Sequence, residues 1–244
     1  MSNFKKTFQL VAVFLFVSVV QLSAQTYKYQ KIVGFSDETN AKLEAFLQST
    51  ISMNIRKVAV FDCDGTLFGQ VPYYLAEEAL YEYARRNYAG KKDAKSVEKF
   101  KLVDKMIHED AISRERDRIK FLSGMTPEEI QRIGDDCFHE KYQNKFYPQM
   151  KALLTNLRNY GFETWVISAS PELLYQRFCV EELGFQEDRV IGVKSLVTMG
   201  GVVTDQIVFP SPQDEGKAEV IRTFIKTRPL FAAGNSRGDM EMMN

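Results

Sequence analysis

The sequence predicts an α/β protein: a mainly parallel sheet with helices on both faces, and an all-helical block inserted after the first strand. Three observations lead there. A β-branched and aromatic run, Val58-Ala59-Val60-Phe61, stops at a polar turn, Asp62-Cys63-Asp64-Gly65-Thr66-Leu67. After Pro148, short β-branched runs alternate with stretches of helical period, the pattern of strands joined by crossover helices. Between the two, residues 69–146 are rich in Lys, Arg, Glu and Tyr, and their apolar positions recur at helical spacing.

In chain order, residues 25–35 read as an extended arm, and Ser36 or Asp37 caps a helix over 37–50 with Leu43, Phe46 and Leu47 on one face. Residues 57–62 form the first core strand. The inserted block shows Leu75, Ala79 and Tyr83, then Leu102, Met106 and Ile107, at helical spacing. Thr126-Pro127-Glu128-Glu129 starts a helix, with a capping hydroxyl, Pro in the first turn and an acid at the third position. A helix over 149–160 ends at Gly161, and Glu163–Ile167 is the next strand. A helix from Pro171 to Leu183 stops at Gly184. Arg189–Gly192 reads as a short strand. Ser195–Thr198 and Val202–Ile207 flank Gly200-Gly201 as a hairpin. A helix over Asp214–Lys226 and a strand at Leu230–Ala233 complete the pattern. The inserted block is expected to sit over the carboxyl end of the sheet as a lid.

The 244 residues, 45% hydrophobic and 26% charged, suffice for one full core and a smaller appended unit. The formal net charge of zero gives no sign of a nucleic-acid partner or an anionic membrane surface. At the amino terminus, Lys5 and Lys6 precede the apolar run Phe8–Val20, and Gln21-Leu22-Ser23-Ala24 follows. That is the layout of a secretory signal peptide over residues 1–24, too short to span a bilayer comfortably. Cleavage after Ala24 leaves 30 basic and 32 acidic residues and no stable membrane anchor, for an exported chain, periplasmic or secreted. Cys63, Cys137 and Cys179 are odd in number and lack metal-ligand spacing, so they are read as small buried apolar residues. His108 and His139 fall in polar helical stretches and are read as surface residues.

The chemistry is concentrated at strand ends. Residues i and i+2 of a strand lean the same way, so Asp62 and Asp64 place two carboxylates together where a buried strand stops. Such a pair is costly unless a cation or a reaction uses it, and ligands of open α/β sheets bind at that end. Trp165-Val166-Ile167-Ser168-Ala169-Ser170-Pro171 brings a hydroxyl and free amides to a predicted helix start, an arrangement suited to an anion. Lys217 opens another predicted helix and could offset phosphate or carboxylate charge. Phe231-Ala232-Ala233-Gly234-Asn235-Ser236-Arg237-Gly238-Asp239 is a strand followed by a polar turn with an acid.

Taken in order, these four segments resemble motifs I to IV of the haloacid dehalogenase superfamily, over about residues 57–243. The likeness is greatest to the phosphoserine-phosphatase and phosphocholine-phosphatase branch. It implies a Rossmann-like core over 25–68 and 147–244, with a helical cap over 69–146. The implied activity is Mg2+-dependent hydrolysis of a small phosphomonoester. Asp62 is then the nucleophile and Asp64 the general acid/base. Ser168, Ala169 and Lys217 bind the phosphoryl group. Asp62, the Asp64 carbonyl and Asn235 hold the metal, with Asp239 behind them orienting Lys217 or a metal-bound water. Asn235 departs from the family pattern, which has Asp there; the amide is a hard ligand without the negative charge. Two other readings stay open: a catalytically weak phosphate-ligand binding protein, and transfer of the phosphoryl group to an acceptor other than water. The family pattern also continues with a helix and usually another strand after motif IV, so an uncovered strand edge is expected. Phe68, Tyr73, Tyr74, Phe138, Tyr142 and Tyr147 lie near the core–cap junctions. They could cage a quaternary ammonium such as phosphocholine, but packing of the cap helices is the favoured expectation.

Overall fold

The computed structural model describes residues 27–70 and 72–244. The proposed signal peptide, residues 1–24, lies outside them. Among the described residues no helix is long and apolar enough to cross a membrane. The five-stranded sheet has the order β4-β3-β2-β1-β5, with β1 at Val58–Phe61, β2 at Glu163–Pro171, β3 at Val190–Val197, β4 at Val203–Val208 and β5 at Phe231–Ala233. β1 runs parallel to β2 and β5, β2 is parallel to β3, and only β4 is antiparallel. Among the described residues β5 lies at one edge of this sheet.

The alternation along β1 explains the layers. Ala59 and Phe61 enter a large apolar cluster on one face, while Val58 and Val60 join Trp165, Ile167 and Ile191 on the other. All four residues of β1 are fully buried, which is why the strand reads as a continuous apolar run. The first face is covered by α1 (Asp37–Ser49), α6 (Pro148–Asn159) and α7 (Glu172–Leu183). The second is covered by α8 (Gly216–Val220) with the π-helical turn Ile221–Ile225, and by α9 (Met240–Met243). The amino-terminal arm is tied down by two asparagines: Asn40 Oδ1 accepts from Ile32 N at 2.8 Å, and Asn156 Oδ1 accepts from Gln30 N at 2.8 Å.

Between β1 and α6 stand α2 (Leu75–Asn87), α3 (Ala94–Met106), α4 (Ala111–Leu122) and α5 (Pro127–Cys137), followed by a π-helical turn over Phe138–Tyr142. The helix start at Thr126 is a full capping box with Glu129. The loop between α4 and α5 is bonded to the hairpin: Gly124 N donates to Val203 O and Val203 N to Met125 O, both at 2.9 Å. α5 crosses α7 at Gly134, where an added Cβ would lie 1.9 Å from the Leu174 carbonyl oxygen. Backbone cannot yield as a side-chain tip can. Gly134→Ala is therefore expected to cost about 1–3 kcal/mol by overpacking, read as a lower urea midpoint at an unchanged m-value. An unaltered midpoint would mean that the crossing is loose.

Three expectations need correction. β2 does not stop at Ile167 but continues to Pro171, so the following helix starts at Glu172. The register with β3 shifts between Ile167 and Pro171, and Gly192 admits the close approach: a Cβ there would meet Ser170 O at 2.5 Å. The short strand at 189–192 and the first hairpin arm are one strand, β3. The helix expected over 214–226 starts at Gly216 and finishes as a π-helical turn, with Lys226 left-handed at φ 59°. The aromatics near the junctions follow the favoured expectation of packing in three cases and gather into no cage. Phe68, Phe138 and Tyr142 are fully or almost fully buried, with Phe68 meeting Phe138 and Tyr142 edge-on and Phe138 stacked on Phe178, while Tyr73, Tyr74 and Tyr147 are exposed. The three cysteines are free and buried, and both histidines are largely exposed, as expected.

Candidate active site

The carboxyl ends of β1, β2 and β5 converge on a cavity of about 220 Å3, lined by Asp62, Asp64, Ser168, Ala169, Lys217 and Asn235 together with residues of the inserted helices. Backbone geometry sets the first two. Asp62 N donates to Ala233 O at 2.9 Å, continuing the β1–β5 ladder by one residue. The chain then turns back, with Leu67 N bonded to Cys63 O and Gly65 N to Phe68 O. Gly65 has φ +79°, and a Cβ there would collide with the Asn235 amide at 2.0 Å. Glycine is required on both counts.

Lys217 is buried between two carboxylates. Its Nζ is 2.6 Å from Asp62 Oδ1 and 2.5 Å from Asp239 Oδ1. Burial opposes its charge, but the two acids hold it above the ordinary lysine range. Asp239 spends its second oxygen on Asn235 N, Ser236 N and Ser236 Oγ at 2.9–3.0 Å. Burial raises the cost of its charge, yet Lys217 and these donors hold its carboxyl below the usual range. Asp239 thus lies behind the cavity and orients Lys217. Asp62 is pushed upward by burial, against the pull of Lys217.

Asp64 is in a different environment. Burial first, and the Asp62 charge second, push it up to about 7, opposed by Tyr175, Arg118 and Ser170. Tyr175 OH donates to it at 2.8 Å from Oδ2, Ser170 Oγ stands at 3.3 Å, and the same tyrosine oxygen accepts Ala76 N at 3.2 Å. The start of α2 is therefore connected through Tyr175 to Asp64.

One amide atom of Asn235 stands 3.3 Å from both Asp62 Oδ2 and the Asp64 carbonyl oxygen. As nitrogen it donates to both. As oxygen it completes three hard oxygen donors from carboxylate, carbonyl and amide, the set a cation such as Mg2+ takes. Asp62, Asp239 and Lys217 together carry one net negative charge when all are ionised, which also favours a cation here. The residues present fit a divalent metal.

The fold and this geometry agree with the comparisons. The family model for haloacid dehalogenase-like hydrolases matches residues 59–244. The chain belongs to that family. No curated protein matches it in sequence. Among solved structures, a conserved protein of unknown function from Anaerococcus prevotii DSM 20548 is similar with a TM-score of 0.64 at 15% identity, over 86% of this chain and 83% of that one. A HAD family hydrolase, t0658, from Salmonella enterica subsp. enterica serovar Typhi gives 0.51 at 15% identity, over 88% and 75%. A probable phosphoserine phosphatase from Vibrio cholerae gives 0.51 at 14% identity, over 85% and 61%. At these identities the likeness is one of fold.

For this family member, all the residues expected from sequence meet at one place, Asp239 one layer back. One expectation changes: Ser168 and Ala169 are on extended β2, not at a helix start, and Ser168 Oγ accepts Ser170 N at 3.2 Å. The residues not foreseen are Tyr175, Ser170, Arg114 and Arg118. Tyr175 lies in the first turn of the helix after a site strand. Arg114 and Arg118 lie one turn apart on α4. Those were the available signals.

Proposed function

We propose that the protein is an exported, magnesium-dependent phosphatase that hydrolyses a small phosphomonoester through an aspartyl phosphate. The observation that carries this reading is the pair Asp62 and Asp64: two buried carboxylates, one ion-paired to Lys217 at 2.6 Å and the other pushed up to about 7. Environments that separate two acids separate their roles. Asp62, ionised, attacks phosphorus as the bond to the leaving oxygen breaks, and Asp64 gives that oxygen its proton. Asp64 then takes a proton from water, the water oxygen bonds to phosphorus, and the bond to Asp62 breaks to release orthophosphate. Lys217, Ser168 Oγ and the Ala169 amide bind the phosphoryl oxygens. Asp62, the Asp64 carbonyl and Asn235 would hold Mg2+, which supplies positive charge against the phosphoryl oxygens. The inserted helices act as a cap that excludes water and strengthens these interactions. Family membership supports hydrolysis, and the fold shared with a probable phosphoserine phosphatase is consistent with a phosphate ester. Assay of the purified protein with p-nitrophenyl phosphate is expected to give magnesium-dependent release of p-nitrophenol that EDTA abolishes. Phosphate binding with no turnover at any magnesium concentration would favour the binding-protein reading instead.

That second reading draws on Asn235, which lacks a carboxylate's charge. Asn235→Asp is expected to tighten magnesium binding, seen by calorimetry and as a lower magnesium concentration for half-maximal rate. Turnover need not rise, because a new carboxylate repels the phosphoryl group. Unchanged or weaker magnesium affinity would remove Asn235 from the metal site. Export rests on residues 1–24, and sequencing the native protein is expected to find an amino terminus near Gln25; an intact Met1 in a cytoplasmic fraction would refute it.

A further inference from the structure

Behind Asp64 stands a phenol that the mechanism leaves unused. Tyr175, in the first turn of α7, is 1% exposed and does not line the cavity, whereas Asp64 and Ser170 do. A buried phenol needs a partner for its proton and is the better for one at its oxygen. The proton goes to Asp64: Tyr175 Oη is 2.8 Å from Oδ2 and 3.0 Å from Oδ1. The oxygen accepts Ala76 N at 3.2 Å. Ala76 is the second residue of α2, where helix amides lack intrahelical partners, and Tyr74 at the N-cap supplies no side-chain bond. The phenol therefore caps α2 from outside the helix. α7 itself is packed under the Asp62–Asp64 turn. The rings of Tyr175 and Phe178 lie 5.4 Å apart, and one turn beyond Tyr175 the Cys179 Sγ is 4.0 Å from Cys63 Sγ. The hydroxyl is thus held from α7, from α2 and from Asp64.

We propose that Tyr175 is a positioning residue for proton transfer to the leaving group: it acts through Asp64, fixing which carboxyl oxygen carries the proton. The assignment rests on the phosphatase reading and adds to it a residue that lies behind the cavity. A carboxylic acid has two oxygens, and only a proton on the one facing the leaving oxygen can be delivered. Oδ2 is the nearer to Tyr175 Oη and also faces Ser170 Oγ at 3.3 Å. An oxygen whose lone pairs already receive hydrogen bonds is the poorer place for a proton, so the proton is left to Oδ1. As the bond from phosphorus to the leaving oxygen breaks, this proton passes to that oxygen. The carboxylate so formed accepts a stronger hydrogen bond from Tyr175 than the neutral acid did. When water attacks the aspartyl phosphate, one of its protons returns to Asp64. Tyr175 keeps its own proton throughout.

The test varies how much the leaving group needs a proton. p-Nitrophenolate departs readily as an anion, phenolate less so and the alkoxide of benzyl alcohol hardly at all, while their three phosphate esters are similar in size. The quantity compared, with Mg2+ present, is kcat/KM, which ends at departure of the alcohol and so excludes the later hydrolysis of the aspartyl phosphate. One hydrogen bond to a charged group corresponds to roughly 10- to 100-fold. Tyr175→Phe is therefore expected to lower kcat/KM for benzyl phosphate about 10-fold or more beyond its effect on p-nitrophenyl phosphate, with phenyl phosphate between them. In an Asp64→Asn background, where the proton donor is already absent, the same substitution is expected to add no loss that depends on the leaving group. Tyr175→4-fluorophenylalanine, which fills the hydroxyl's space without a proton to donate, is expected to give the same pattern and serves if Tyr175→Phe does not fold. Equal losses on the three esters would show a structural role alone and overturn the assignment. So would unchanged rates, or a leaving-group-dependent loss that persists without Asp64. Absence of turnover of every ester by the wild type would overturn the phosphatase reading and the assignment together.

Discussion

Asp62→Asn is expected to fold as the wild type does and to lose turnover by about 10³-fold or more. The amide has the shape of the acid but cannot attack phosphorus, and covalent catalysis through one nucleophile leaves no alternative path. The fold is expected to survive because Asn Oδ1 can still accept from Lys217 and its Nδ2 can donate to Thr66 Oγ1; these two partners stand 2.6 and 3.2 Å from the two Asp62 oxygens. Steady-state rates and far-UV circular dichroism check the two halves together. Retention of a tenth of the activity, in protein shown by mass to be free of deamidation, would sink the assignment.

Lys217→Met is expected to lose both activity and stability. The ammonium is the shared partner of Asp62 and Asp239, and removing it leaves two buried carboxylates facing each other. Breaking a buried pair in this way costs about 3–5 kcal/mol. The sign with pH follows from the acids. In the wild type the Asp239 pKa is lowered on folding, so its stabilisation is present above the unfolded value of about 3.9 and is lost as pH falls through the folded value. Without Lys217 the two carboxylates repel, at least one folded pKa is raised, and stability instead falls as pH rises above the unfolded value. Urea unfolding with EDTA is thus expected to show a wild-type-to-variant gap that is wide at pH 7 and narrow near pH 4. A gap independent of pH would mean that Lys217 acts by packing alone.

How much of this could be read beforehand depends on distance along the chain. β1 and its aspartates were legible because burial on both faces makes a continuous apolar run, and the turn that ends it is written in adjacent residues. Lys217 and Asp239 were legible as members of an ordered set, although neither is distinctive alone. The continuation of β2 through Ser168 was not, because it depends on Gly192 letting β3 approach the Ser170 carbonyl, a contact between separate segments. Tyr175 and Arg118 were missed for the same reason. One belongs to the helix after β2 and the other to the cap, and nothing local says that both act on Asp64. The aromatics near the cap junctions were legible in part: packing was the favoured expectation over a cage, and Phe68, Phe138 and Tyr142 do pack in the core, while Tyr73, Tyr74 and Tyr147 are exposed.

The central claim is that Asp62 becomes covalently phosphorylated. Acid quenching during turnover of p-nitrophenyl phosphate, followed by borohydride, reduces an acyl phosphate to the alcohol and so converts the phosphorylated aspartate to homoserine. Mass spectrometry of the peptide spanning Val58–Phe68 is predicted to place homoserine at position 62, only when substrate and Mg2+ are both present. Homoserine at position 64, or turnover with no reduced residue at 62, would contradict the account.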